Sequence, residues 1–209
     1  ETANIPLEQI KTVSVYLGEA LPNPEDVQAI IITGSIDMVT ERLDWSERTA
    51  TWIKDAVTKQ VPILGVCFGH QLLAHAFGGE IGDNPNGAEF GTITVNKSAS
   101  ASTDKLFKDL PDSLNMQAFH FESILNLPEH AVVLASNDID KHHAYRFGDN
   151  AWGVQFHPEF DKEIMDHAID VYENMISDAG FNLKKLRAGT QESDHGKMLI
   201  QRFIALSFT

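Results

Sequence analysis

Cys67 is the only cysteine of the chain, and it stands between Gly65 and Gly69 at the end of an apolar run, residues 61–66. Far downstream, His157 and Glu159 lie two apart on either side of Pro158. A thiol, an imidazole and a carboxylate can act as nucleophile, base and the group that orients the base. The chemistry would be acyl transfer: sulfur attacks an amide carbon, a thioester forms, and the imidazole carries the protons. Plainer readings exist. A lone cysteine is usually a small buried hydrophobe, and a histidine at a strand end beside a surface glutamate is common. The glycine frame favours chemistry, because it places the cysteine on a bend whose tip is accessible.

The surrounding elements must position these groups. After Cys67, Leu72, Leu73, Ala76 and Phe77 recur at helical spacing, so residues 61–79 read as strand, sharp turn and helix. This is the logic of the G-x-S-x-G elbow with sulfur in place of oxygen. The glycines are expected to allow the tight turn and to keep side chains away from a substrate. The helix start should aim free N–H groups and its positive end at the thiol, favouring thiolate. Residues 153–156 read as a strand, and residues two apart on a strand share a face, so His157 and Glu159 should point together. Upstream, residues 29–33 are an apolar run of the buried parallel type, closed by Gly34 and Ser35. Residues 45–59 have helical spacing, with Asp44 or Ser46 as cap. Residues 12–17 alternate as a strand. Strand and helix thus alternate, which predicts a parallel sheet covered on both faces. Past Gly79 the pattern changes. Residues 83–91 are turn-rich, residues 98–103 are a polar loop or hairpin, and residues 91–96, 114–120, 132–136, 143–147 and 151–156 are strand candidates close enough together to pair antiparallel. Residues 161–177 and 194–208 carry helical patterns.

Three stretches resemble class I glutamine amidotransferases, in particular the free-standing glutaminase part of GMP synthase. GVCFGHQLLAHAFGG, ending at Gly79, is similar to the family's nucleophile motif, GVQFHPEF at 153–160 to its His-x-Glu motif, and IIITGSIDMV at 30–39 to its oxyanion strand and loop. The resemblance implies a flavodoxin-like three-layer α/β/α fold with a mainly parallel central sheet and a small antiparallel portion, formed as a single domain over residues 1–209. It implies a first strand and helix that this chain is expected to lack at its N-terminus. It implies Cys67, His157 and Glu159 as the triad. The oxyanion would be held by the backbone N–H of Phe68 and by the Gly34–Ser35 loop, where the family's usual Gly-Gly-Pro is replaced by Gly-Ser-Ile. Gln71 would hold the substrate amino acid. His120, Phe121 and Glu122 occupy a segment, often His-Gly-Asp, whose backbone meets the substrate's α-carboxylate and amino groups. The loop 84–91 resembles that of GMP-synthase-like amidotransferases and of γ-glutamyl peptide hydrolases.

The expected reaction is hydrolysis of the glutamine side-chain amide, releasing glutamate and ammonia for a separate acceptor synthetase. A γ-glutamyl peptide hydrolase with the same triad is the alternative, and a non-catalytic binding or regulatory relative is the reading from another class. No cofactor and no metal site are expected. His70 and His75 are five apart, off the i, i+4 ligand spacing, and no HExxH or CxxC accompanies them; His142 and His143 read as a solvated pair. Composition sets further limits. The chain has 209 residues, 43% of them hydrophobic, enough for a full core, and a formal net charge of −14 that argues against a nucleic-acid surface. No apolar run of about eighteen residues suggests a membrane span. One cysteine forbids an internal disulfide and suits a reducing compartment, so a cytoplasmic location is expected. The expected partner is a small-molecule substrate, glutamine or a γ-glutamyl compound.

Overall fold

The structure is a computed structural model, and it describes residues 5–208. Nine strands and six α-helices form among them. The strands are β1 (Ile30–Ile32), β2 (Ile63–Val66), β3 (Glu80–Asp83), β4 (Glu89–Lys97), β5 (Ser113–His120), β6 (Glu122–Asn126), β7 (Val132–Ser136), β8 (Ala144–Phe147) and β9 (Ala151–Val154). The helices are α1 (Asp44–Thr58), α2 (Phe68–Ala76), α3 (Lys162–Val171), α4 (Glu173–Asp178), α5 (Leu183–Gly189) and α6 (His195–Ser207). Seven strands make one sheet in the order β1-β2-β9-β8-β7-β4-β5, and β3 pairs with β6 in a separate ribbon.

The α/β architecture is the expected one. Its parallel part is the trio β1, β2 and β9, and the ends of these three strands lead into Gly34, Cys67 and His157. From β9 outward every pairing, through β8, β7, β4 and β5, is antiparallel. The antiparallel portion is therefore larger than the small one expected. The reason is in the connections: β8 and β9 are joined by a short turn through Gly148, whose φ is 60°, which leaves no room for a crossover helix.

Alternate residues on each strand serve opposite faces. Leu64, Val66, Trp152 and Val154 pack with Leu199 and Phe203 of α6 and with Leu106 and Phe107. Ile63, Tyr145 and Ala151 pack on the other side with Ile53 and Ala56 of α1 and with Leu72 and Leu73 of α2. A third cluster joins Phe90 of β4 to Met165, Ile169 and Ile176 of α3 and α4. No described helix is long and apolar enough to cross a membrane.

Four local expectations change. Residues 12–17 are not a strand: Val15–Leu17 form one 3-10 turn closed by Gly18 at φ 83°, because no neighbouring strand offers them a ladder. Residues 29–33 are not fully buried: β1 is an edge strand and Ile31 is 44% exposed. The helix expected over 161–177 breaks at Tyr172 into α3 and α4. Neither Asp44 nor Ser46 caps α1. Leu43 holds the cap position, and the Ser46 hydroxyl donates back to the Leu43 carbonyl at 2.8 Å.

Candidate active site

β2 runs out at Val66, and Cys67 takes the N-cap position of α2 with φ 50° and ψ −104°. A non-glycine residue with positive φ costs on the order of 1–3 kcal/mol and persists only where its surroundings enforce it. Here the enforcement comes from Gly65 and Gly69, in a role the sequence did not suggest. Neither glycine has positive φ. A Cβ on Gly65 would meet the Gly69 carbonyl carbon at 2.6 Å and the His70 nitrogen at 2.9 Å. A Cβ on Gly69 would meet Ile32 Cβ at 2.8 Å and the Ile32 carbonyl carbon at 2.9 Å. The glycines are absent side chains that let β1, β2 and the first turn of α2 touch. That contact packs the two arms of the bend at Cys67 directly against each other.

His157 reaches the bend from the end of β9. It lies beyond the strand, which stops at Val154. Its N–H donates to the Gln117 carbonyl at 2.8 Å, and the Phe160 N–H closes a turn onto the His157 carbonyl at 3.3 Å. So His157 and Glu159 point together through a turn, not through strand alternation. His157 Nδ1 lies 2.8 Å from Glu159 Oε1, and the imidazole stacks on the Phe160 ring with centroids 4.3 Å apart. A Cβ on Gly34 would lie 3.0 Å from His157 Cε1 and 3.7 Å from Cys67 Cβ, so Gly34, Cys67 and His157 meet in one place.

Burial alone would push the His157 pKa down, but the Cys67 sulfur and the Glu159 carboxylate, through charge and hydrogen bonding at the ring, outweigh it and raise it to about 10. Nδ1 is bound to Glu159, so the nitrogen that faces sulfur is Nε2. Cys67 Sγ also lies 3.7 Å from the Phe119 carbonyl oxygen. A carboxylate beside an imidazolium favours the protonated form, so Glu159→Gln should lower the His157 pKa. NMR titration of the His157 ring should show a midpoint at least about one unit lower; an unchanged or higher midpoint would contradict the electrostatic role given to Glu159.

Phe68 is the first residue of α2, where the helix offers its N–H no acceptor of its own. The Ser35 hydroxyl is tied to Asp37, donating to Oδ2 at 3.3 Å and accepting from the Asp37 N–H at 3.1 Å. What the Gly34–Ser35 loop can offer an oxyanion is therefore main chain. Gln71 is buried, and its amide nitrogen donates to the Glu122 carbonyl at 2.8 Å and to Gln155 Oε1 at 3.0 Å. The His120 and Glu122 side chains turn inward: His120 toward Glu89, and Glu122 onto the Thr40 hydroxyl. Phe121 is half-buried and stacks edge-on with Phe90.

His70 and His75 do not form a pair. His70 is wholly buried against Tyr145, and burial lowers its pKa to about 3, so it is neutral. His75 faces Glu47 and Arg42 at 3.0 Å each. The solvated reading of His142 and His143 needs correction. His142 Nδ1 meets the Ile124 carbonyl at 2.7 Å, and His143 is fully buried beside Glu89. Sequence reasoning gave no role to the side chains of Gln117, Glu89 and Asn137. β4–β5 pairing sets Glu89 opposite His120 and Gln117 opposite Thr92, Asn137 reaches Glu89 from just beyond β7, and no local pattern announces these contacts.

The family model described as "Glutamine amidotransferase class-I" matches residues 7–173. The chain belongs to the class I glutamine amidotransferase family. Among curated relatives, it is 32% identical to γ-glutamyl peptidase 4 of Arabidopsis thaliana over 191 residues, covering 89% of this chain and 74% of that protein. It is 34% identical to the glutamine-hydrolyzing GMP synthase subunit of Methanocaldococcus jannaschii over 142 residues, covering 68% of this chain and 69% of that protein. The crystal structure of a glutamine amidotransferase from Thermotoga maritima superposes with a TM-score of 0.79 over 93% of this chain and 84% of that one, at 23% identity, a likeness of fold.

Proposed function

We propose that this class I glutamine amidotransferase cleaves the γ-amide of a glutamyl compound through a Cys67 thioester. The observation that carries the proposal is the convergence of Cys67, His157 and Gly34 at one strained bend, with Glu159 bound to the far side of the imidazole. The Cys67 thiolate attacks the γ-carbonyl carbon, and the carbonyl π pair moves onto oxygen. The backbone N–H of Phe68 and the main chain at Gly34 and Ser35 hold that oxyanion. The C–N bond breaks as His157 Nε2 gives its proton to the departing nitrogen, leaving the acyl group on sulfur. Water then attacks the thioester, His157 takes its proton, and collapse frees glutamate and restores the thiolate–imidazolium pair. Glu159 keeps Nδ1 protonated throughout, so that Nε2 is the nitrogen that exchanges protons. Gln71 and the main chain around His120, Phe121 and Glu122 form the floor on which the amino-acid end of the substrate rests.

Glutamine is the first substrate, with the released ammonia passing to a separate synthetase. A γ-glutamyl peptide is the second, favoured by one observation: the similarity to the peptidase covers more of this chain than the similarity to the synthase subunit. Both use the same thioester and differ only in the leaving amine. Glutamate release from glutamine, measured beside a panel of γ-glutamyl dipeptides, separates them. The expected result is turnover of glutamine with a higher kcat/KM than any dipeptide. Turnover of dipeptides alone would select the second reading, and release from neither would remove the hydrolytic proposal.

A further inference from the structure

Behind the bend, and outside the proposed triad, three buried side chains converge. Glu89 begins β4, His120 ends β5, and His143 immediately precedes β8. Glu89 Oε2 lies 2.8 Å from His143 Nε2 and 3.3 Å from His120 Nε2, and all three donor atoms fall within 4.8 Å of one another. We propose that Glu89, His120 and His143 form a three-ligand site for a first-row divalent cation of the zinc class, with a water completing its coordination.

Proton placement points to a metal. His120 Nδ1 lies 3.1 Å from the Glu122 carbonyl oxygen, which only accepts, so Nδ1 must carry the hydrogen. A neutral imidazole then has a bare lone pair on Nε2, yet Nε2 faces a carboxylate oxygen, which also only accepts. Hydrogen bonds alone satisfy this arrangement only with a second proton on the ring. A metal ion satisfies it directly, with Nε2 and the carboxylate as ligands and Nδ1–H bound to a backbone carbonyl, the usual outer partner of a ligating histidine. Glu89 has its own outer partner: its other oxygen accepts from Asn137 Nδ2 at 2.7 Å. Ligand atoms around tetrahedral zinc stand about 3.3 Å apart, given bonds of about 2.0–2.1 Å, a spacing that falls within the 2.8 Å to 4.8 Å range of these donor atoms.

Charge points the same way. Glu89, Glu122 and Asp140 are all buried, and among the described residues none of them pairs with a lysine or arginine. Glu122 Oε2, Asp140 Oδ2 and His143 Nδ1 have no partner at all. The same molecule shows what a settled buried carboxylate looks like. Asp104 accepts from Arg146 Nε at 2.9 Å, from Trp152 Nε1 at 3.1 Å and from the N–H groups of Leu106 and Phe107 at 2.9 and 3.1 Å. Among the described residues Glu89 faces only the Asn137 amide and the two imidazoles, and a dication among them would put a full positive charge beside the three buried carboxylates' only imidazole-bound member. Two imidazoles and one carboxylate form a donor set suited to zinc and its first-row neighbours. The ion would tie β4, β5 and the start of β8 together. His120 adjoins Phe119, whose carbonyl lies against the Cys67 sulfur, so the ion would stiffen the wall behind the nucleophile without touching substrate.

The test is metal analysis of the full chain, produced in zinc-supplemented cells and purified without chelator. About one equivalent of zinc or another first-row metal is expected in the wild type, and less than about half that in Glu89→Gln and His143→Gln. Cys67→Ser should keep the metal, because sulfur is not a ligand. Cobalt-grown wild-type protein should show the visible d–d bands of a nitrogen- and oxygen-ligated ion, which decides the matter if the ligand variants do not fold. A chelator that strips the ion should lower the Tm by about 5 °C or more. Wild-type protein with less than about half an equivalent, metal retained in both ligand variants, or metal lost with Cys67→Ser would each overturn the proposal.

Discussion

Cys67→Ser is expected to reduce kcat for glutamate release by at least about 10³-fold, with the Tm within about 3 °C of the wild type. Stability and turnover depend on different properties of this side chain. Serine fits the N-cap position of α2 and is smaller than cysteine, so the packing of α2 and β2 should survive. The chemistry should not. A serine hydroxyl holds its proton far more tightly than a thiol, and the charge that keeps His157 protonated comes from sulfur as well as from Glu159. With sulfur gone, the ion pair is lost and no comparable nucleophile replaces it. Steady-state assay together with thermal denaturation by circular dichroism would read both quantities. Turnover within about tenfold of the wild type would remove Cys67 from the reaction. A Tm drop beyond about 10 °C would mean that the thiol is principally a packing group.

Gly69→Ala is expected to destabilise the protein by about 3 kcal/mol or more, lowering the Tm by roughly 6–12 °C. Helix propensity points the other way: in a helix alanine is favoured over glycine by about 1 kcal/mol. Close approach decides the sign. The added methyl would lie 2.9 Å from the Ile32 carbonyl carbon and 2.8 Å from its Cβ. The first of these is backbone in β1 and cannot swing aside. To relieve the overlap β1 must move from α2, and Gly34, two residues after Ile32, must move with it. Activity should therefore fall along with stability, because Gly34 packs on both Cys67 and His157. A variant with an unchanged or raised Tm would show that the strand and helix are not held in contact there.

The sequence showed the elbow at Cys67 because its signal is local: an apolar run, two glycines and a helical repeat lie within a single stretch of chain. The same holds for α1, α6, β5 and β7, whose periodicity nearly reproduces their bounds. Where partners come from far away, local pattern failed. Residues 12–17 alternate like a strand but find no ladder. β3 and β6 pair with each other across a stretch of chain that holds β4 and β5, and carry only weak alternation. His157 and Glu159 point together as expected, but through a turn bonded to Gln117 of β5, which no reading of 153–160 could contain. Glu89 lay in a stretch that read as loop and His143 in one that read as solvated, so their meeting with His120 became visible only once β4, β5 and β8 were arranged in one sheet. The glycines show the limit most fully. Their presence was legible, but their purpose, contact between β1, β2 and α2, depends on three elements at once.

Sulfur at position 67 must be the atom that bonds to a glutamyl carbonyl carbon if the proposed reaction is right. A chloroketone analogue of glutamine, incubated with the full chain and followed by peptide mass spectrometry, tests this directly. One adduct per chain is expected, on Cys67, slowed by excess glutamine and slowed at least about tenfold by His157→Ala. An intact Cys67 after prolonged exposure, or labelling of Cys67 at the same rate with and without both glutamine and γ-glutamyl dipeptides, would contradict it.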